Sequence, residues 1–214
     1  MARVIKEAKE RKNEILDVAE RLFETRGFDH TSTNDILKET GIARGTLYYH
    51  FKSKEELLDA MVERMTERLI VRAKEIAARK DVPVLQRFTR MMLALHAGGS
   101  IDQEILEQVH KPQNALMHQK IQQQLLTEIT PLLVALIEEG TAQGICRTEY
   151  PWEVAEMTFL YANVVFDDLA EYGTEEKQRK IAAFIHNLER LLEMGQGSMR
   201  EAVMPVFRDS GDKI

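Results

Sequence analysis

A glycine that ends one short helix and immediately starts another element fixes what this chain can become. In residues 36–51, ILKETGIARGTLYYHF, the apolar pair Ile36 and Leu37 lies in a helical run that Gly41 stops. Glycine takes the left-handed backbone conformation that closes a helix and lets the chain turn at once. Ile42 follows and can tuck under the turn. Residues 44–51 then form a second short helix, small at its start and aromatic at its end. Leu47 and Phe51, at i and i+4, make its buried edge, so Arg44, Gly45, Thr46, Tyr48, Tyr49 and His50 project outward. Two helices joined this tightly make a helix-turn-helix, whose second helix usually lies in the major groove of DNA.

The flanking residues agree with this reading. Ile15, Leu16, Ala19, Leu22 and Phe23 recur at helical spacing and predict a helix over 12–25. Gly27 ends it, and Phe28 then caps a small core. Ser32 and Asp35 are spaced as a capping box for the next helix, with Thr33 able to cap as well. A hydroxyl at a helix N-terminus also suits phosphate, because that end presents unpaired amides to an anion. Ser53 and Glu56 form a second box, opening a helix over 54–79. Lys52 and Lys54 stand at its start, against the dipole preference for acids there, which points to phosphate contact.

In order, RKNEILDVAERLFETRGFDHTSTNDILKETGIARGTLYYHFKSKEELLDAM resembles the N-terminal signature of the TetR family of bacterial transcriptional repressors. The resemblance covers Arg11 to Met61, about a quarter of the chain. Ala43 stands where that family often has Ser, a change that costs up to ~1 kcal/mol of capping. The resemblance implies an all-α fold. A helix-turn-helix DNA-binding domain over 1–53 is expected to precede a larger effector-binding and dimerisation domain over 54–195 and a tail over 196–214. It also implies a homodimer that pairs through the last two long helices, at about 151–170 and 175–194.

The charge is uneven in the matching sense. Residues 1–54 hold 11 Lys and Arg against 9 Asp and Glu, and the remainder holds 18 against 26. That suits a modest nucleic-acid head on an acidic body. The single cysteine, Cys146, excludes an intramolecular disulfide framework and fits a reducing cytoplasm. The charged N-terminus lacks the apolar core of a signal peptide, and no run of some 18 apolar residues is long enough for a membrane span.

Beyond the signature the sequence reads as amphipathic helices. Leu57, Leu58, Met61, Val62, Met65, Leu69, Ala73 and Ile76 form one stripe. Pro83 restarts a helix that closes at Gly98 and Gly99, and a shorter segment over 102–111 stops at Pro112. A long pattern over 114–143 carries Pro131, which is expected to kink or interrupt it. Pro151 opens a helix apolar on more than one side, as a helix covered on both sides must be. Thr174, Glu175 and Glu176 open the last, and a short helix is expected near Met199 to Val206.

These features favour a ligand-responsive regulator, a repressor that binds a palindromic operator as a dimer. Arg44 is the candidate for a bidentate guanine contact, and Thr46 and Tyr48 for thymine methyl or base-edge contact. Tyr49, His50, Lys52, Lys54 and Thr33 are placed on phosphates. Methionines with aromatics suit an adaptable pocket for a small apolar effector. Its candidate lining is Met65, Leu69, Met92, His96, Leu106, His110, Met117, Ile121, Phe159, Asn163 and Phe166. A metal sensor would use His96, His110 and His118, with Glu107, yet no ligand pair at i, i+4 is present. A helical interaction module without DNA binding is the other alternative. No Gly-rich phosphate loop, GxSxG elbow or HExxH pair supports an enzyme, and no cofactor is expected.

Overall fold

The computed structural model describes residues 8–96, 114–167 and 173–202. Among them every regular element is helical. The helices are α1 (Ala8–Arg26), α2 (Thr33–Thr40), α3 (Arg44–His50), α4 (Lys54–Ala78), α5 (Val84–His96), α6 (Ala115–Ala142), α7 (Pro151–Asp167) and α8 (Thr174–Leu191). The chain forms two compact units, Met1–Glu67 with Ile101–Gln124, and Arg68–Ser100 with Leu125–Ile214.

The first unit is built on the helical repeat of α1. Its buried residues are Ile15, Leu16, Ala19, Leu22 and Phe23, the five expected from spacing. Phe28 closes this core edge-on against Phe23, with ring centroids 5.2 Å apart. Leu57, Leu58, Met61 and Val62 of α4 are buried with them. Arg64 ties α4 to α1, bonding Asp17 at 2.6 Å and also Glu20.

In the second unit α7 packs against α5 and α8. Its core includes Phe88, Met91, Ile129, Leu133, Val154 and Phe159. Arg87 is only 2% exposed. Its guanidinium donates to the carbonyls of Val82 and Ala77, both at 2.9 Å, and to the carboxylate of Glu139. Lys80 reaches the same carboxylate. These two cations hold Glu139 well below the usual carboxylate range, at about 2.

One of the two outcomes expected at Pro131 does not occur. Helix α6 is not interrupted: it runs through Pro131, which lies on its exposed side. The buried stripe of Leu125, Ile129, Leu133, Leu136 and Ile137 holds the helix together despite one missing backbone donor. The short helix expected near Met199 is present among the described residues, where 198–202 are helical. Buried Glu189 accepts from the amides of Gly197 at 3.0 Å and Met199 at 2.9 Å. It thereby caps a helical turn that begins at residue 198, and Met199 is buried beside it. Gly98, Gly99, Pro112 and the segment over 102–111 lie outside the described residues.

Candidate nucleic-acid interface

The turn between α2 and α3 follows from its residues. Ser32 caps α2 and its oxygen accepts from the Asp35 amide, while the Asp35 carboxylate accepts from the Ser32 amide at 2.9 Å. The Ser32 hydroxyl also donates to that carboxylate, and this bond, with the one from the Ser32 amide, holds Asp35 below the usual carboxylate range. At the other end Gly41 is left-handed, at φ 66° and ψ 16°, and its N–H donates to Leu37 O at 3.0 Å. Helix α3 then starts from Ala43, which contributes no side-chain cap. Phe51 ends it, with its N–H on Leu47 O at 2.8 Å.

Helix α3 presents two unlike faces. Leu47 and Phe51 are 1% and 2% exposed and anchor it. Opposite them, Tyr48 is 43% exposed and Tyr49 79%, two large rings that no core covers. His50 is half-buried, with its ring edge-on to Tyr49 at 5.0 Å. Thr46 is half-buried and Arg44 exposed. Gly45 is exposed, and a Cβ added there would meet no heavy atom within 4 Å. Internal packing therefore does not demand a glycine at this position. Thr33, the first residue of α2, is half-buried.

The two lysines differ. Lys52 is exposed, and its backbone N–H is held by the Glu56 carboxylate at 2.6 Å. The Glu56 amide in turn donates to the Ser53 hydroxyl at 3.1 Å, so this box closes one residue wider than the spacing suggested. Lys54 folds inward: its ammonium donates to Phe28 O at 2.9 Å and sits 4.0 Å from the centre of the Phe28 ring. One of its three N–H donors is thus engaged within the protein.

The sequence reading missed Asn34. Its Oδ1 accepts from Arg44 Nη2 at 2.8 Å, joining α2 to α3 on the exposed side. The available signal was an exposed amide one residue after Thr33, at the end of α2 that the turn brings back toward α3.

The expected effector-lining residues are mostly buried. Met117 and Ile121 are buried in the first unit, where Met65 is half-buried. Leu69, Met92, Phe159 and Asn163 are buried in the second. His96 and Phe166 belong to α5 and α7. Leu106, His110 and Glu107 lie outside the described residues. His118 pairs with Gln122 at 3.1 Å, and no group of three metal-ligating side chains occurs among the described residues.

A family model described as "Bacterial regulatory proteins, tetR family" matches residues 15–61. A second, "Tetracyclin repressor-like, C-terminal domain", matches residues 99–187. The chain belongs to the TetR family. The first match holds the helix-turn-helix, and every described element after it is helical. An HTH-type transcriptional regulator of Staphylococcus aureus strain USA300 is 41% identical over 71 residues, which is 33% of this chain and 38% of that protein. The chain thus matches little more than a third of that relative's length.

Among solved structures, a TetR-family regulator from Pectobacterium atrosepticum superposes with a TM-score of 0.58 at 24% identity, covering 89% of this chain and 96% of that one. Salmonella enterica GusR gives 0.59 at 22%, covering 89% and 100%. RolR, solved in complex with resorcinol, gives 0.60 at 19%, covering 92% and 94%. At these identities the structures establish a shared TetR fold. No described helix is long and apolar enough to cross a membrane.

Proposed function

We propose that this TetR-family chain is a repressor that binds a palindromic operator as a homodimer and is released by a small apolar effector. The observation that carries the DNA side is the outer face of α3, where Arg44, Tyr48 and Tyr49 stand exposed around a glycine that packing does not require. Arg44, Thr46 and Tyr48 read bases, and Gly45 lets the duplex approach closely. Thr33, Tyr49, His50 and Lys52 hold phosphates. Lys54 joins them with the two N–H donors that Phe28 leaves. The head over 1–53 supplies this surface, and residues 54–195 supply dimerisation and effector binding.

The dimer reading is supported by α7. Met157, Leu160, Tyr161 and Val164 are exposed at i, i+3, i+4 and i+7, on one stripe of a helix whose Val154, Ala155, Phe159 and Ala162 are already buried. A second apolar face on a surface helix calls for a covering partner. A twofold dimer that reads a palindrome needs its two α3 helices about 34–36 Å apart, one turn of DNA.

The effector reading is supported by buried methionine and aromatic side chains and by Asn163, a buried amide among them. RolR's resorcinol makes small phenols a reasonable first class to try. A gel shift on the DNA upstream of the chain's own gene tests the repressor half, with salt-dependent retardation expected. Adding small apolar compounds to that complex tests the other half. Operator release by one chemical class is expected, and indifference to every class contradicts it.

A further inference from the structure

We infer that Asn34 is a positioning residue that sets which edge of the Arg44 guanidinium faces the DNA, and so helps determine base specificity. This rests on the reading of α3 as the element that reads the operator. The two residues lie on different helices, ten positions apart, and meet through Asn34 Oδ1 and Arg44 Nη2 at 2.8 Å. Both are exposed, so the contact is not forced by packing.

The chemistry of the fork gives the contact its consequence. A guanidinium offers two bidentate edges, Nε with Nη2 and Nη1 with Nη2. Nη2 carries one hydrogen on each edge. Asn34 accepts one of them, which closes that edge to DNA and leaves the other pair of donors free for guanine O6 and N7. A long side chain that would otherwise sample many rotamers is also held before the duplex arrives, so less conformational freedom is lost on binding. The Asn34 oxygen is neutral and leaves the positive charge of Arg44 intact. Its own amide hydrogens stay available on the same surface, since Oδ1 is the atom engaged.

A duplex library with a randomised centre provides the test. The full-length wild-type protein selects a consensus, and single-base variants of that consensus are then titrated with wild type, Asn34→Ala, Arg44→Ala and the double variant. Arg44→Ala is expected to flatten preference at one base pair per half-site. Asn34→Ala is expected to reduce preference at that same base pair about two- to tenfold, the range of one hydrogen bond. It should add nothing in the Arg44→Ala background, and its melting temperature should match the wild type. A uniform loss of affinity over all base variants, or effects that multiply in the double variant, overturns the inference while leaving Arg44 as a reader. A wild-type protein that enriches no sequence, or an Arg44→Ala variant with unchanged preferences, refutes the DNA reading of α3 and the inference with it.

Discussion

Arg44 and Arg87 are the same residue in opposite situations. Arg87 is 2% exposed, and four of its five N–H donors go to two backbone carbonyls and Glu139, so it fastens the second unit. Arg44 is exposed, makes one bond to a neutral oxygen, and keeps most of its fork facing solvent. A guanidinium does structural work when its donors are used within the protein and recognition work when they are left open. The difference lies in the partners, not in the residue type.

The largest effect that probes this contrast is at Arg87. Arg87→Ala leaves the carbonyls of Val82 and Ala77 without their donor and Glu139 to Lys80, and is expected to destabilise the protein by about 3 kcal/mol, the cost of leaving buried polar groups unsatisfied. Urea unfolding at fixed protein concentration measures it, since the proposed dimerisation would make stability depend on concentration. Next in size is Arg44→Ala. It should leave unfolding unchanged and remove about 1–3 kcal/mol of discrimination against wrong bases, read by titrating single-base variants of the operator. If Arg44→Ala destabilised and Arg87→Ala only weakened DNA binding, the contrast would be reversed.

Acid sharpens the same comparison. Glu139 has a folded-state pKa of about 2, below its ordinary 4.5. Its contribution is therefore fully present above about pH 4.5 and is lost as pH falls toward 2. Glu139→Gln should flatten the fall in stability across that window, as followed by urea midpoints at several pH values. The smallest effect is expected at Gly45. Since a Cβ there meets nothing, Gly45→Ala should gain up to about 1 kcal/mol of stability from helix propensity while weakening operator binding. Thermal melts and gel shifts of the same preparation report the two changes together.

How much of this was legible in the sequence depended on distance along the chain. The DNA-binding head was written in local signals: the five apolar positions of α1, the Ser32–Asp35 box, Gly41, and Leu47 with Phe51. Each acts within one or two helical turns, where spacing translates directly into geometry. The Arg44–Asn34 bond was not legible, because it depends on how α2 and α3 cross. Lys54 gave a similar result. Its charge at a helix start suggested phosphate, and no local signal showed that its ammonium also donates to the carbonyl of Phe28, 26 residues earlier. Arg87 and Glu139 are 52 residues apart, and nothing in the helical pattern marks them as partners. Pro131 shows the converse, a strong local signal overridden by the buried stripe on the other side of α6.

The claim that the outer face of α3 reads a twofold-symmetric site is tested most directly by selection from a randomised duplex library with the full-length protein. The enriched sequences should contain an inverted repeat whose half-site centres lie about one helical turn apart, about 10 base pairs. Arg44→Ala should erase the preference at symmetry-related positions of both half-sites. Enrichment of no symmetric sequence by the wild-type protein, or an Arg44→Ala profile identical to it, would contradict that claim.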